Sequence, residues 1–336
     1  LQKILVVRLS SMGDIVLTTP LLKALKRRFP QAKIAFLTKR QYRDLLLHNP
    51  DLDEIFTWED DLSSLRRERF DLFLDLQANL KSLLLLPLRL KASRRIRYKK
   101  RHLSRWALTR FKWIPFHPIH TVDLYLRALA PLGVNHSPQP LPRLYLNERE
   151  RKEAREFLQQ EGFYGEKLVG ISPGAKWEKK RWPLKRFSQV GENLAKREKT
   201  KVILFGNEEE QPLTRKMAKL MKTESINAAG RTDLRLLMAL LERCDLLITN
   251  DSGPMHIATG VGTPVVAIFG PTHPKLGFTP LGEGDIVLST NEPCSPCSLH
   301  GEGRCQRSKR FCMEGITVGD VLKAASDILS SNSTQL

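Results

Sequence analysis

With 336 residues, 41% hydrophobic and 27% charged, the chain has the make-up of a globular protein of about two domains, which excludes a disordered tail and a membrane bundle. A formal charge of +19, from 55 Lys and Arg against 36 Asp and Glu, predicts attraction to something anionic: nucleic acid, an anionic membrane or a phosphorylated substrate. The longest apolar run, Leu83 to Leu88, falls far short of the ~20 residues of a spanning helix, and Arg8 interrupts the apolar start where a leader would continue, so neither a span nor export is expected.

In chain order, an apolar strand from Lys3 to Leu9 leads through a polar turn, Ser10 to Asp14, into a helix-like stretch from Ile15 to Phe29 that Pro30 follows. A strand over Ala32 to Thr38, a helix running to Leu47, an extended segment Glu54 to Trp58 and a strand Phe70 to Leu76 come next. This alternation predicts a parallel sheet covered by helices. Arg89, Lys91, Arg94, Arg95, Arg97, Lys99, Lys100, Arg101, Arg105, Arg110 and Lys112 then fall within 24 residues that contain no acid. Trp106, Leu108, Phe111, Trp113, Ile114 and Phe116 interleave with the later cations, a mixture that suits the interface of an anionic bilayer. The plainer alternative is a solvated loop and helix face with a few core aromatics.

Pro131 to Pro142, with Gly133, Pro138 and Pro140, reads as a loop, and a charged helix from Glu148 to Gly162 follows it. The rhythm then restarts: strand Leu168 to Ser172, helix Lys185 to Arg197, strand Lys201 to Gly206, and helices Glu209 to Met221 and Asp233 to Arg243. Strand Leu246 to Thr249, a helix from Pro254 to Gly260, strand Val265 to Phe269 and a terminal helix Val318 to Leu329 complete it. Two α/β halves of Rossmann type, joined near residue 160, are expected to face a shared cleft at their strand C-terminal ends.

Three segments carry chemistry. Ser10-Ser11-Met12-Gly13-Asp14 ends on a carboxylate at a helix start, where it either caps the helix or deprotonates a hydroxyl. Ser172 to Pro183 brings four cations between glycyl and prolyl turns, suited to balancing a departing diphosphate. Asn250-Asp251-Ser252-Gly253-Pro254-Met255-His256 opens a helix whose free N–H groups and dipole favour an anion, with His256 one turn beyond Ser252. An ordinary N-cap with an incidental histidine is the alternative there. Neither G-x-G-x-x-G, nor a P-loop, nor H-E-x-x-H is present, which weakens dehydrogenase and NTPase readings.

In this order Arg8 to Asp14, Pro173-Gly174-Ala175 with Lys180-Arg181-Trp182-Pro183, and Asn250 to His256 resemble glycosyltransferase family 9, the ADP-heptose:lipopolysaccharide heptosyltransferases. Asn49 to Glu54 and Asp71 to Asn79 extend the likeness over nearly the whole chain, and the four-cysteine element Cys294 to Cys312 hints at the second-heptose branch. The resemblance implies a GT-B fold: an acceptor-binding domain over 1–160, a nucleotide-sugar-binding domain over 165–315, and a helix at 316–330 packing back on the first. It implies Asp14 as general base for an inverting, metal-independent transfer from ADP-heptose, and Lys180 neutralising the leaving ADP. Asp251, Ser252, Gly253 and His256 would hold diphosphate and sugar, with Met12 and Gly13 lining the same cleft. Glu210 and Thr232 would lie by the adenosine. The implied acceptor is the phosphorylated inner core of lipopolysaccharide at the cytoplasmic face of the inner membrane. Arg94, Arg95, Arg97, Lys99, Lys100, Arg101 and Trp106 would meet acceptor phosphates or lipid headgroups, and no nucleic acid is expected.

Cys294-x2-Cys297-x7-Cys305-x6-Cys312 has spacing compatible with a structural zinc ion, and equally with loose thiols in a loop by the cleft; Cys244 reads as core. A non-enzymatic basic module binding membrane or RNA, a family 9 enzyme with another donor or acceptor, and a GT-B nucleotide-sugar epimerase are the competing readings.

Overall fold

The structure, a computed structural model, describes residues 1–60, 62–79, 82, 90–111, 117–134, 140–165, 167–197 and 200–331. Arg89, Lys112, Trp113, Ile114, Phe116, Pro138 and the run Leu83 to Leu88 lie outside the described residues. The chain divides into two compact units, Leu1–Arg101 with Ile119–Tyr145 and His102–Pro118 with Leu146–Leu336.

The first unit holds β1 (Lys3–Val7), β2 (Lys33–Thr38), β3 (Glu54–Thr57), β4 (Arg69–Asp75) and β5 (Lys91–Arg97), all parallel, in the order β3-β2-β1-β4-β5. Ile4 to Val7 are fully buried, as a central parallel strand requires, and Leu5, Val7, Leu37, Leu65, Phe70 and Phe73 share one core. The strand order reverses between β1 and β4, so the segments that follow these two strands meet in one crevice. The expected helix over Ile15 to Phe29 is two helices, Met12–Val16 and Thr19–Arg28. Pro20 has no N–H to continue the first, and the Thr18 and Thr19 hydroxyls donate instead to the carbonyls of Ile15 (2.6 Å) and Val16 (2.8 Å). The stretch ending near Leu47 is a 3-10 helix, Arg40–Leu46.

The second unit holds β6 (Lys167–Ser172), β7 (Thr200–Leu204), β8 (Ser225–Asn227), β9 (Leu246–Asn250), β10 (Val265–Phe269) and β11 (Ile286–Ser289), again all parallel, in the order β11-β10-β9-β6-β7-β8. Its order reverses between β6 and β9. Every residue of β9 and β10 is buried, and Trp182, Phe187 and Met313 pack with β-strand residues Ile171, Ile248 and Ile268 in its core.

Two features depart from the expected division. Helix Glu148–Gln160 belongs to the second unit, where Arg151 pairs with Glu242 (2.8 Å) and Arg235 with Glu150 (2.6 Å), so the division falls after Tyr145. The terminal helix Val318–Ser331, expected to pack back on the first unit, belongs to the second, where Val321, Ala324, Ala325 and Ile328 form an i, i+3, i+4, i+7 stripe buried in its core. Lys167 Nζ also donates to the Leu329 carbonyl at 3.3 Å.

Candidate active site

In the first unit the two segments at the sheet's reversal are tied together by Gln77. Its side-chain carbonyl accepts from the N–H groups of Leu9 (2.9 Å) and Ser10 (3.2 Å), fixing the turn out of β1. Gln77 is itself held by Asp75, 1% exposed, whose carboxylate accepts from the N–H groups of Gln77 (3.0 Å) and Ala78 (2.8 Å), from Ser82 Oγ (3.0 Å) and from Arg97 Nε (3.0 Å). Ala78 accepts a left-handed backbone, φ +47°, to complete this turn.

The turn delivers Asp14 into the first helix, with its side chain only 17% exposed. Asp14 Oδ2 takes three donors: Arg8 Nη2 at 2.7 Å, Ser11 N at 3.1 Å and Ser11 Oγ at 2.8 Å. Among the described residues nothing donates to Oδ1. Burial works against the ionised carboxyl, but the Arg8 charge and the Ser11 donors outweigh it and hold Asp14 below the usual carboxylate range. Arg8 is 5% exposed, donates through Nη1 to the Leu76 carbonyl at 2.5 Å, and lies 5.9 Å from the Tyr125 ring centroid. Its Nε finds no partner among the described residues. Burial opposes the guanidinium charge, and Asp14 more than restores it. The carboxylate is thus oriented through one oxygen, while the other takes no donor among the described residues. Met12 and Gly13 occupy the same helical turn, Gly13 buried and Met12 partly so.

In the second unit the segments after β6 and β9 are joined by Asn250, fully buried. Its Nδ2 donates to the carbonyls of Pro173 (2.9 Å) and Gly174 (3.2 Å), and its Oδ1 accepts from Trp182 N (2.9 Å). Next to it Asp251 pairs with Lys180, Nζ to Oδ2 at 2.7 Å, and accepts from Thr272 Oγ1 at 2.5 Å. Both partners are nearly buried, with side chains 14% and 12% exposed, so the ammonium is held in one place by charge rather than swinging in solvent. Gly301, φ +90°, lies on the lysine stem: a Cβ there would sit 2.4 Å from Lys180 Cγ. Ser252 stands at the N-cap position of helix Gly253–Val261 without a side-chain capping bond, the first-turn N–H groups open beside this pair in sequence, and Thr249 Oγ1 meets Ser252 Oγ at 3.2 Å. His256 lies in that helix, 6% exposed.

Glu210 and Thr232 follow β7 and β8. The Glu210 carboxylate presses on Gly174, where a Cβ would stand 2.0 Å from Oε1, and it accepts from Asn207 N at 3.1 Å. Glu210 is therefore brought to the same strand ends as Asn250. Thr232 precedes Asp233, the N-cap of helix Leu234–Glu242.

Of the basic residues, Arg97 has a structural duty on Asp75, while Arg94 donates to the Pro131 carbonyl (2.9 Å) and Arg95 to that of Leu90 (3.0 Å). Lys99, Lys100 and Trp106 are exposed and Arg101 partly so. The cysteines do not form the tetrahedral set their spacing allows: all are free thiols, and among the described residues no group of three His, Cys, Asp or Glu has metal-holding geometry. Cys312 is buried; burial, then the neighbouring Cys297, Cys294 and Cys305, push its thiol up to about 11. Cys305 Sγ instead faces the Lys309 carbonyl at 3.9 Å. Cys244 is core, its thiol raised chiefly by burial.

Arg8, Gln77, Asn250 and Thr272 were not singled out in sequence. Arg8, Asn250 and Gln77 stand inside the segments that carry the resemblance, whereas Thr272 stands outside them and reaches Asp251 only through the folding of the chain.

Residues 62–303 match the model of glycosyltransferase family 9 (heptosyltransferase). The chain is 30% identical over 309 residues to lipopolysaccharide heptosyltransferase 2 of Salmonella typhimurium, covering 83% of this chain and 85% of that protein. It is similar to the crystal structure of a family 9 glycosyl transferase from Veillonella parvula, with TM-score 0.81 and 26% identity over 98% of this chain and 97% of that one. Against the E. coli ADP-heptose lps heptosyltransferase II the TM-score is 0.78 at 25% identity, covering 99% and 100%.

Proposed function

The chain belongs to glycosyltransferase family 9, a GT-B glycosyltransferase, and from that premise we propose that it transfers heptose from ADP-heptose to the phosphorylated inner core of lipopolysaccharide, with inversion and without a metal ion. The observation that carries this reading is the Asp14 carboxylate, kept ionised by Arg8 and Ser11 through Oδ2 while Oδ1 stays open. An acceptor hydroxyl donates its proton to Oδ1 as its oxygen attacks the anomeric carbon from the side opposite the diphosphate. The bond from that carbon to the diphosphate oxygen breaks, and ADP leaves with the electron pair. The developing charge falls to Lys180, held by Asp251, which Thr272 in turn fixes, and to the N–H groups at Ser252 and Gly253. A fixed ammonium and a helix N-terminus supply there what a divalent ion supplies in other transferases. His256 is assigned to the sugar and diphosphate, Glu210 and Thr232 to the adenosine. Met12 and Gly13 line the reacting end.

The acceptor phosphates are met by the cations of the first unit, Arg94, Arg95, Lys99, Lys100 and Arg101, at the cytoplasmic face of the inner membrane. Among the described residues no helix is long and apolar enough to cross a membrane.

The test is titration with ADP, ADP-heptose and UDP, with and without EDTA, followed by transfer to lipid-borne inner-core acceptor. The expected outcome is selective ADP binding and transfer that both survive EDTA, with Asp14→Asn retaining donor binding while turnover falls by about 10²–10⁴. Preference for UDP changes the donor; unimpaired turnover in Asp14→Asn removes the base from the mechanism.

A further inference from the structure

Helix His102–Arg110 is built inside out. Its buried row is Arg105 and Leu108, 6% and 7% exposed, with the Arg105 guanidinium 4.6 Å from the centroid of the Phe278 ring. The opposite face carries Leu103, 80% exposed, and Trp106, 47% exposed, at i and i+3, with Arg110 completing the row. Phe111, just past the helix and 39% exposed, meets Trp106 edge to face at 5.9 Å, so the outward apolar groups are contiguous rather than scattered. A helix that only covered its own unit would turn leucine and tryptophan inward and arginine outward. Here the arginine is used as an anchor, stacked on Phe278, and the apolar groups are left to face something else.

The charge around the helix says what. Lys99, Lys100 and Arg101 precede it directly, Arg110 ends it, and the described stretch 90–111 contains no acid. A protein partner with an apolar groove would need a dense acidic rim to match, and a second copy of this chain would bring the same cations against themselves. An anionic bilayer satisfies both parts at once, taking apolar rings at the level of the headgroups and acyl ends and cations in the phosphate layer.

We propose that helix His102–Arg110 is a membrane-docking element which inserts Leu103, Trp106 and Phe111 into the headgroup boundary of an anionic lipid bilayer, anchored to its own unit by Arg105 on Phe278. This deepens the reading of a lipid-borne acceptor, but the attachment needs neither donor nor acceptor. It can therefore be tested apart from transfer. It also differs from simple attraction by charge, because the apolar groups keep part of the binding when salt screens the cations.

The experiment is flotation of the full chain with phosphatidylcholine vesicles, with and without phosphatidylglycerol and free of lipopolysaccharide, together with quenching of tryptophan emission by brominated lipid. The chain is expected to float with the anionic vesicles and to be quenched, more weakly at high salt but still measurably. The double variant Leu103→Ser, Trp106→Ser should lose about tenfold or more in partition, with its thermal transition unchanged because both positions face outward. Leu103→Trp, with its thermal transition unchanged, should float more completely than the parent. Flotation of the double variant equal to the parent would leave the cations alone responsible and overturn the insertion. Failure of the parent to float overturns the docking. Loss of self-association in sedimentation by the double variant, with flotation unaltered, would assign the face to a second copy.

Discussion

The base proposed at Asp14 sets two requirements against each other: it must be ionised to accept a proton, yet a carboxylate buried without compensation would be neutral. Arg8 resolves this through one oxygen only. Replacing Arg8 with Gln keeps a donor and removes the charge, so burial is no longer offset and the carboxyl rises. The sign follows from the depressed value. In the parent, Asp14 stays ionised until the pH falls below the ordinary aspartate value of about 3.9, so the acidic limb of kcat/KM from this group lies lower still. In Arg8→Gln the limb should move upward, and an unmoved limb in the pH–rate profile would show that Arg8 does not set the ionisation of the base. Loss of Arg8 also leaves a buried carboxylate without its partner, and the thermal transition should report a cost on the order of 3 kcal/mol. Lys180→Ala leaves Asp251 to Thr272 and should lower kcat by roughly 10²–10³, with a smaller change in donor affinity. Asp14, Lys180 and Asp251 could be singled out as candidates in the sequence because each is a charged residue in a segment that follows an apolar strand. Gln77, inside the Asp71 to Asn79 segment, and Thr272 gave no sign of their partners, since an uncharged side chain in a loop carries no signal until the chain places it.

Elements follow the same division. β1, β9 and β10 are readable as apolar runs because both their faces are covered, and β4 is readable despite Asp71 because Phe70, Leu72, Phe73 and Leu74 are buried around it. β5 was hidden by its own charge: Lys91, Arg94, Arg95 and Arg97 on an exposed edge strand guard it against pairing and make it resemble a loop. β8 and β11 are too short for alternation to show. The apolar stripe of helix Val318–Ser331 announces that it has a core to join, but a stripe is the same whichever core receives it, and the destination had to come from the fold. The loop that includes Gly301 illustrates an element acting on a single side chain. Ser298 Oγ and Glu302 tie it, with Gly301 N donating to Ser298 Oγ at 2.6 Å, and Lys179 Nζ donates to the Glu302 carbonyl at 2.8 Å. Gly301→Ala adds a carbon against the Lys180 stem at a backbone angle that L-residues resist. It should lower kcat toward the value for Lys180→Ala while leaving the thermal midpoint within a few degrees of the parent, measured by turnover and by calorimetry on the same preparation.

On the scale of the whole molecule, the chain leaves the first unit after Arg101, contributes His102–Pro118 to the second, and returns at Ile119. A fragment spanning residues 1–101 therefore lacks helix Thr121–Arg127, with its buried Val122, Leu124, Tyr125 and Leu126. Thermal unfolding of that fragment should show no cooperative transition, whereas a sharp one would mean that the first five strands suffice. Tyr125 bears on the chemistry too, because its ring stands beside Arg8 and meets Tyr98 edge to face at 5.0 Å. During synthesis the Asp14 motif emerges from the ribosome long before this wall does. An interrupted product thus displays Asp14 and Arg8 without the ring that stands beside the arginine, and a chain that stops before Tyr125 also lacks Lys180 and Asp251.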